Sequence, residues 1–119
     1  DSSVTGVQTC ALPISARADG GWDGVIHNAG ITRDRTIARM PTDQWQSVIA
    51  VNLRAPIRIN DALVAADALR PGARIVCVSS ISGIAGNAGQ TNYAFSKAGL
   101  IGLVERAAPG FAARSMSIK

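Results

Sequence analysis

"RIVCVSSISGIAGNAGQTNYAFSKAG", residues 74–99, joins three successive patterns. It opens with an uninterrupted apolar centre, Ile75 to Val78, which reads as a strand covered on both faces of a parallel sheet. A half-solvated strand would alternate apolar and polar positions instead. A glycine-punctuated loop follows from Ser82 to Gln90, and then a helix expected from about Thr91 to Ala113. Near its start Tyr93 and Lys97 stand four positions apart, about one helical turn, so the two heads share one face and one site. A phenol ordinarily titrates near about pH 10, too high for easy proton exchange at neutral pH, and a nearby ammonium favours the phenolate. The pair reads as an activated acid/base. Taken alone the spacing is common, since amphipathic helices also use it to cover apolar surface.

Upstream, "WDGVIHNAG" at 22–30 reads as a short buried strand, Gly24 to Asn28, leaving through small residues. Gly30 to Met40 is a loop carrying Arg33, Asp34, Arg35 and Arg39. Pro41 and Thr42 signal a helix start, with Thr42 as cap and Asp43 in the first turn. Apolar positions then recur at helical spacing through Trp45, Val48, Leu53, Ile57 and Leu63 to about Leu69. Pro56 interrupts them, so either two helices meet near Asn52 to Ala55 or one helix bends. "RPG" at 70–72 closes the segment, and "SMSIK" at 115–119 begins a third strand. Strand, helix, strand, helix, strand is the alternation of an α/β sheet.

A chain of 119 residues allows at most one compact unit, and 47% hydrophobic against 17% charged residues is a globular balance. The net charge of +4 comes from scattered arginines, without a basic run or interleaved aromatics, so nucleic acid is not an expected partner. Cys10 and Cys77 form no disulfide framework. No apolar run approaches the roughly eighteen residues that span a bilayer, so no membrane is expected and the protein is expected to be cytoplasmic. From Ala94 to Val104 the last helix is apolar nearly all round. One face covers the sheet, and the other calls for a partner subunit, with Ala98, Gly99 and Gly102 admitting a close backbone.

Ligands of a parallel α/β sheet bind at the carboxyl ends of the strands. Asn28 ends the first strand, Ser79 and Ser80 end the second, and Tyr93 and Lys97 open the helix that leaves the same edge. Asn52, at a helix terminus, is within reach of the same place. This set resembles the short-chain dehydrogenase/reductase family. "HNAG" at 27–30 is similar to its N-N-A-G strand end, "VNL" at 51–53 to its asparagine motif, and "VSSISG" with "YAFSKAG" to its serine and Y-x-x-x-K. Ser80 precedes Tyr93 by thirteen residues, the family's spacing. "NAGITRD", "MPTDQW" and "GNAGQTNYAFSKAGLIG" look most like 3-oxoacyl-acyl-carrier-protein reductases. The resemblance covers about residues 17–118.

The resemblance implies a partial Rossmann-like doubly wound parallel sheet. It implies a catalytic set of Asn52, Ser80, Tyr93 and Lys97, and cofactor contacts from Asn28, Ala29, Gly30, Tyr93 and Lys97. Tyr93 would protonate the substrate carbonyl, Lys97 would hold the nicotinamide ribose, Ser80 would bond the carbonyl, and Asn52 would position a water linked to Lys97. The cofactor would be NADP(H) or NAD(H), with no metal. The reaction would be reduction of a 3-oxoacyl thioester, possibly carried on acyl carrier protein, in fatty-acid synthesis, by a homo-oligomer paired through its long helices. The alternatives are a reductase of another alcohol or ketone, or a noncatalytic oligomerisation fragment.

Read without the resemblance, Ser80 is a strand-end turn residue, Asn52 a helix-junction residue and His27 a packed strand histidine. His27 stands where the family more commonly has asparagine. "GIAGNAG" at 83–89 lacks the G-x-G-x-x-G spacing of a phosphate loop. No glycine-rich strand-turn-helix precedes Trp22, and the family's later Pro-Gly turn is not reached. The first fifteen residues, "DSSVTGVQTCALPIS", resemble no part of the family and read as translated sequencing-adapter text. The expectation is a non-native or disordered leader at 1–15 and a family fragment at 16–119, without the N-terminal glycine-rich βαβ unit or the C-terminal strands. Such a fragment would expose an apolar sheet edge and one face of each helix, and would neither bind NADP(H) tightly nor turn over.

Overall fold

The computed structural model describes residues 11–119. Residues 11–18 form helix α1, and strand β1 follows at Trp22–His27. A 3-10 turn at Ile37–Arg39 precedes helix α2 (Thr42–Ile49), a π-helical turn (Ala50–Arg54) and helix α3 (Ala55–Ala65). Strand β2 (Leu69–Cys77), the short helix α4 (Ser82–Ala85), the long helix α5 (Thr91–Ala113) and strand β3 (Ser117–Ile118) complete the order. The three strands form one sheet, β1-β2-β3, with both pairings parallel. Helical crossovers between parallel neighbours make this an α/β fold, a partial Rossmann-like sheet.

Several boundaries differ from the sequence expectation for identifiable reasons. Pro41, not Thr42, occupies the cap position of α2, where its carbonyl takes the N–H groups of Gln44 and Trp45 and no side chain caps the helix. Pro56 does not split the helical path. It lies in the first turn of α3, where a missing N–H costs little, and the residues joining α2, the π-turn and α3 all keep helical angles. Helix α3 stops at Ala65 rather than Leu69 because Asp67 turns to φ +50° and the Ala68 N–H returns to the Leu63 carbonyl at 2.9 Å. Leu69 therefore opens β2, and the Arg-Pro-Gly segment lies inside that strand. Trp22 pairs with Leu69 and Gly24 with Arg74, so the residues between bulge out of the ladder. Part of the expected loop after Ser80 is helical, as α4.

The core lies between one face of the sheet and the helices. Ile59 and Leu63 of α3, Ala73 and Ile75 of β2, Phe111 of α5 and Ile118 of β3 are among its buried residues, and Ala16 of α1 joins them. Residues 11–15 belong to α1. They lie in a helix whose Ala16 is fully buried, whose Leu12 touches the core, and whose Arg17 guanidinium donates to the Ala66 carbonyl at 2.9 Å. Residues 1–10, with Cys10, lie outside the described residues.

The opposite sheet face is bare among the described residues. Ile75 is 1% exposed, but its neighbour Val76 is 40% exposed and Ile26 69%. The apolar run Ile75 to Val78 was expected to be covered twice, and it is covered once. The all-round apolar character of α5 divides similarly: Ser96, Lys97 and Leu100 are buried, while Phe95 is 53% exposed. Gly99 serves packing within the chain rather than a partner backbone, since a Cβ there would stand 2.6 Å from Cδ2 of Leu53.

One-sided packing predicts unequal costs. Leu63→Ala, at a fully buried position, is expected to lower stability by about 2–5 kcal/mol in urea unfolding. Ile26→Thr on the bare face should stay within about 0.5 kcal/mol of the parent. Equal losses at the two positions would contradict this packing.

Candidate active site

The strand ends and the first turns of α5 meet around Lys97. This residue is only 4% exposed, and a buried ammonium must be compensated. Its Nζ donates to the Val78 carbonyl, just past the end of β2, at 3.0 Å. An ammonium has three hydrogens, so two remain for other acceptors. One turn earlier, the half-buried Tyr93 presents its ring with the centroid 5.6 Å from the same nitrogen. The four-residue spacing thus sets the Lys97 ammonium over the Tyr93 ring.

Gly30, on the exposed loop after β1 with Asn28 and Ala29, reaches the same point. A Cβ at position 30 would lie 3.4 Å from Lys97 Nζ and 3.5 Å from Asn52 Oδ1. The absence of a side chain leaves a slot beside the ammonium. Asn28 and Ala29 also line a cavity of about 600 Å³ along the free edge of β1, under Val51 and Ala55. Ser80, Tyr93 and Lys97 are not among its lining residues.

Asn52 sits in the π-turn and is 1% exposed. The Ile31 N–H donates to its Oδ1 at 2.8 Å, and its Nδ2 donates to the Ile31 carbonyl at 2.9 Å and to Ser96 Oγ at 3.1 Å. Both amide hydrogens are therefore engaged. The side chain ties the loop after β1 to α5, and only a second lone pair on Oδ1 is left for a water.

Ser80 is half-buried beyond the end of β2. Its Oγ accepts the Ser82 N–H at 3.2 Å and its carbonyl accepts the Gly83 N–H at 2.9 Å, leaving the hydroxyl hydrogen for another acceptor. The loop that follows is pressed onto α5: a Cβ at Gly83 would lie 2.8 Å from the Ala98 nitrogen and 2.9 Å from the Lys97 carbonyl carbon. Ser79 Oγ adds a 2.7 Å bond to the Lys97 carbonyl. Gly83 and Ser96 were not singled out from the sequence. The glycine three residues after Ser80 was a signal of close approach, whereas nothing in the pattern marked Ser96.

At the end of β1, His27 Nε2 lies 2.7 Å from Asn60 Oδ1, and both side chains are buried. Burial pushes the His27 pKa below its usual 6.5, with the Asn60 bond opposing. Burial raises the pKa of the Cys77 thiol, and the nearby Lys97 charge pulls the other way. Among the described residues no cluster of three or more His, Cys, Asp or Glu could hold a metal ion, and no helix is long and apolar enough to cross a membrane.

Comparison with known proteins places this geometry among related chains. A profile of the family described as short chain dehydrogenase matches residues 5–119. The 3-oxoacyl-[acyl-carrier-protein] reductase FabG of Vibrio harveyi is 37% identical over 118 residues, 98% of this chain and 48% of the relative. Nodulation protein G of Azospirillum brasilense is 37% identical over 120 residues, 99% of this chain and 49% of its own. The FabG of Thermotoga maritima is 43% identical over 96 residues, 81% of this chain and 39% of its own. The chain spans about half or less of the length of these relatives.

Two stability measurements test this packing. The unfolded state protonates His27 near pH 6.5, before the buried folded-state residue does. Stability should therefore be full above that value and fall as pH drops from it toward the lower folded-state pKa. Urea midpoints between about pH 7 and pH 5 should show this loss, and His27→Asn should flatten it. At position 83 a methyl group would meet backbone, so Gly83→Ala should cost about 1–3 kcal/mol in thermal unfolding. Gly102→Ala, whose Cβ would meet nothing within 4 Å, should stabilise α5 by roughly 0.5–1 kcal/mol.

Proposed function

We propose a reductase function from one premise: the chain belongs to the short chain dehydrogenase family. The complete protein reduces a 3-oxoacyl thioester to the 3-hydroxyacyl thioester with NADPH in the cytoplasm. The residues between Asp1 and Lys119 do not turn over by themselves. The observation that carries the reading is the buried Lys97 ammonium, set under the Tyr93 ring with Gly30 beside it.

The residues fit the ribose end of a nicotinamide dinucleotide. Two hydrogens of Lys97 Nζ are free for hydroxyl acceptors, and Gly30 keeps that side of the ammonium uncovered. Asn28 and Ala29 continue the exposed loop along which the rest of the molecule would lie. A pyrophosphate-binding G-x-G-x-x-G turn does not occur in the sequence, so tight binding needs residues beyond these. When bound, the nicotinamide supplies a hydride to the carbonyl carbon.

The chain's own residues manage the oxygen. Ser80 donates its free hydroxyl hydrogen to the carbonyl oxygen and orients it. Tyr93 gives its proton to the same oxygen as charge develops there, so the carbonyl becomes an alcohol and Tyr93 a phenolate. Lys97 offsets that negative charge at short range, and the phenolate regains a proton from solvent.

Support for an acyl substrate comes from two directions. Relatives named 3-oxoacyl-[acyl-carrier-protein] reductase match at 37–43% identity. Beyond Ser80, Ile81 and Ile84 are 73% and 76% exposed, an apolar surface suited to an acyl chain. A second reading keeps the same residues for reduction of another ketone, since a relative of equal identity carries a different name, nodulation protein G. The exposed Phe95 on α5, which stacks on Trp45 at 5.4 Å, supports pairing of subunits through the long helices.

The complete protein should oxidise NADPH when given a 3-oxoacyl thioester, and the 119-residue chain should not. In the complete protein Tyr93→Phe should lower kcat by about 10²–10⁴-fold without lowering the unfolding temperature. Turnover of other ketones alone would replace the first reading with the second. Turnover by the short chain would refute the claim that it is inactive by itself.

A further inference from the structure

We infer that Ser96 is a positioning residue for this site: its hydroxyl locks the Asn52 amide to the helix that carries Tyr93 and Lys97, and through Asn52 it fixes the loop that holds Gly30 beside the ammonium. The inference rests on the reductase reading for its kinetic consequence, though not for its geometry.

Ser96 is fully buried and takes no part in the proton transfer described above. Its hydroxyl is used on both sides. It donates to the Tyr93 carbonyl at 2.7 Å and accepts one Asn52 Nδ2 hydrogen at 3.1 Å. The rest of the Asn52 amide grips Ile31 by both its N–H and its carbonyl. Rotating that amide by half a turn would face oxygen against the Ile31 carbonyl and NH₂ against its N–H, so a single orientation satisfies every group.

Removing the hydroxyl strands Asn52 rather than the helix. An interior helix carbonyl such as that of Tyr93 ordinarily has an N–H from four residues on. The released Asn52 hydrogen has no water to turn to at 1% exposure, and an unpaired buried donor carries the full desolvation cost. The amide relaxes, and Ile31 moves with it. Gly30 is the next residue, and it has only a methyl group's space between itself and Lys97 Nζ. The disturbance thus reaches the ribose side of the site before the substrate carbonyl.

The test uses the complete protein with Ser96→Ala, Ser96→Thr, Asn52→Ala and the Ser96→Ala/Asn52→Ala double variant. Ser96→Ala should reduce kcat/KM for NADPH about tenfold, with KM for the carbonyl substrate within about twofold. In the Asn52→Ala background the same substitution should change little, because the bond it removes is already gone. Amide hydrogen exchange at Ile31 should speed up in Ser96→Ala and stay slow in Ser96→Thr, which keeps the hydroxyl. Additive effects in the cycle, or unchanged Ile31 exchange in Ser96→Ala, would overturn the assignment. Should Ser96→Ala not fold, fast Ile31 exchange in a folded Ser96→Thr overturns it, and slow exchange supports it. An inactive parent protein would remove the reductase reading, while Ile31 exchange still decides the role of Ser96.

Discussion

A lysine ammonium held almost out of water against a strand-end carbonyl is the constraint on which this architecture turns. Lys97 cannot be buried without polar compensation, and compensation comes from Val78, a residue of another segment. That bond fixes α5 against the end of β2. The Ser79 bond to the Lys97 carbonyl and the approach of Gly83 to the same turn add to it. Glycine at 83 and at 30 follows from the same crowding: one lets backbone touch helix, the other keeps a side chain from pressing on the ammonium. The arrangement around Lys97 is thus the packing geometry of the sheet's rim, not an addition to it.

The rest of the fold is held less evenly. Residues of α1, α3 and α5 pack with β2 and β3 in one core, while Val76 and Ile26 stay in contact with water. Burial on one side only reduces the gain set against chain entropy. A sheet whose β1 edge and second face are both open among the described residues is a surface that other protein normally covers. Relatives of about twice this length have the chain with which to do so.

Much of this was legible in the sequence, and the failures share a cause. The bounds of α5, the parallel pairing of β2 and the meeting of Tyr93 with Lys97 follow from periodicity and spacing, which are local signals. The end of α3 depended on Asp67 adopting a left-handed angle, and the course of Arg70 to Ala73 on a bulge in pairing with β1. Both are decided by tertiary pairing, so local propensity could not supply them. Coverage of β2 was misjudged because an apolar run tells what a strand can tolerate on its faces and not what the same chain provides. Ser96 was silent for a similar reason: a serine inside a helix is ordinary until its partner, 44 residues away in sequence, is known.

Pro56 and Asn52 together suggest why the helix widens where it does. At the C-terminal end of the π-turn the Ala55 N–H reaches the Ala50 carbonyl, five residues back. The next residue, Pro56, has no N–H, so the Asn52 carbonyl receives no bond from the position four residues on. The i+4 bond of a regular α-helix is thus missing at a residue whose side chain bonds Ile31 and Ser96. A residue with an N–H in place of Pro56 would return that carbonyl to the helix while leaving the Asn52 amide as it is.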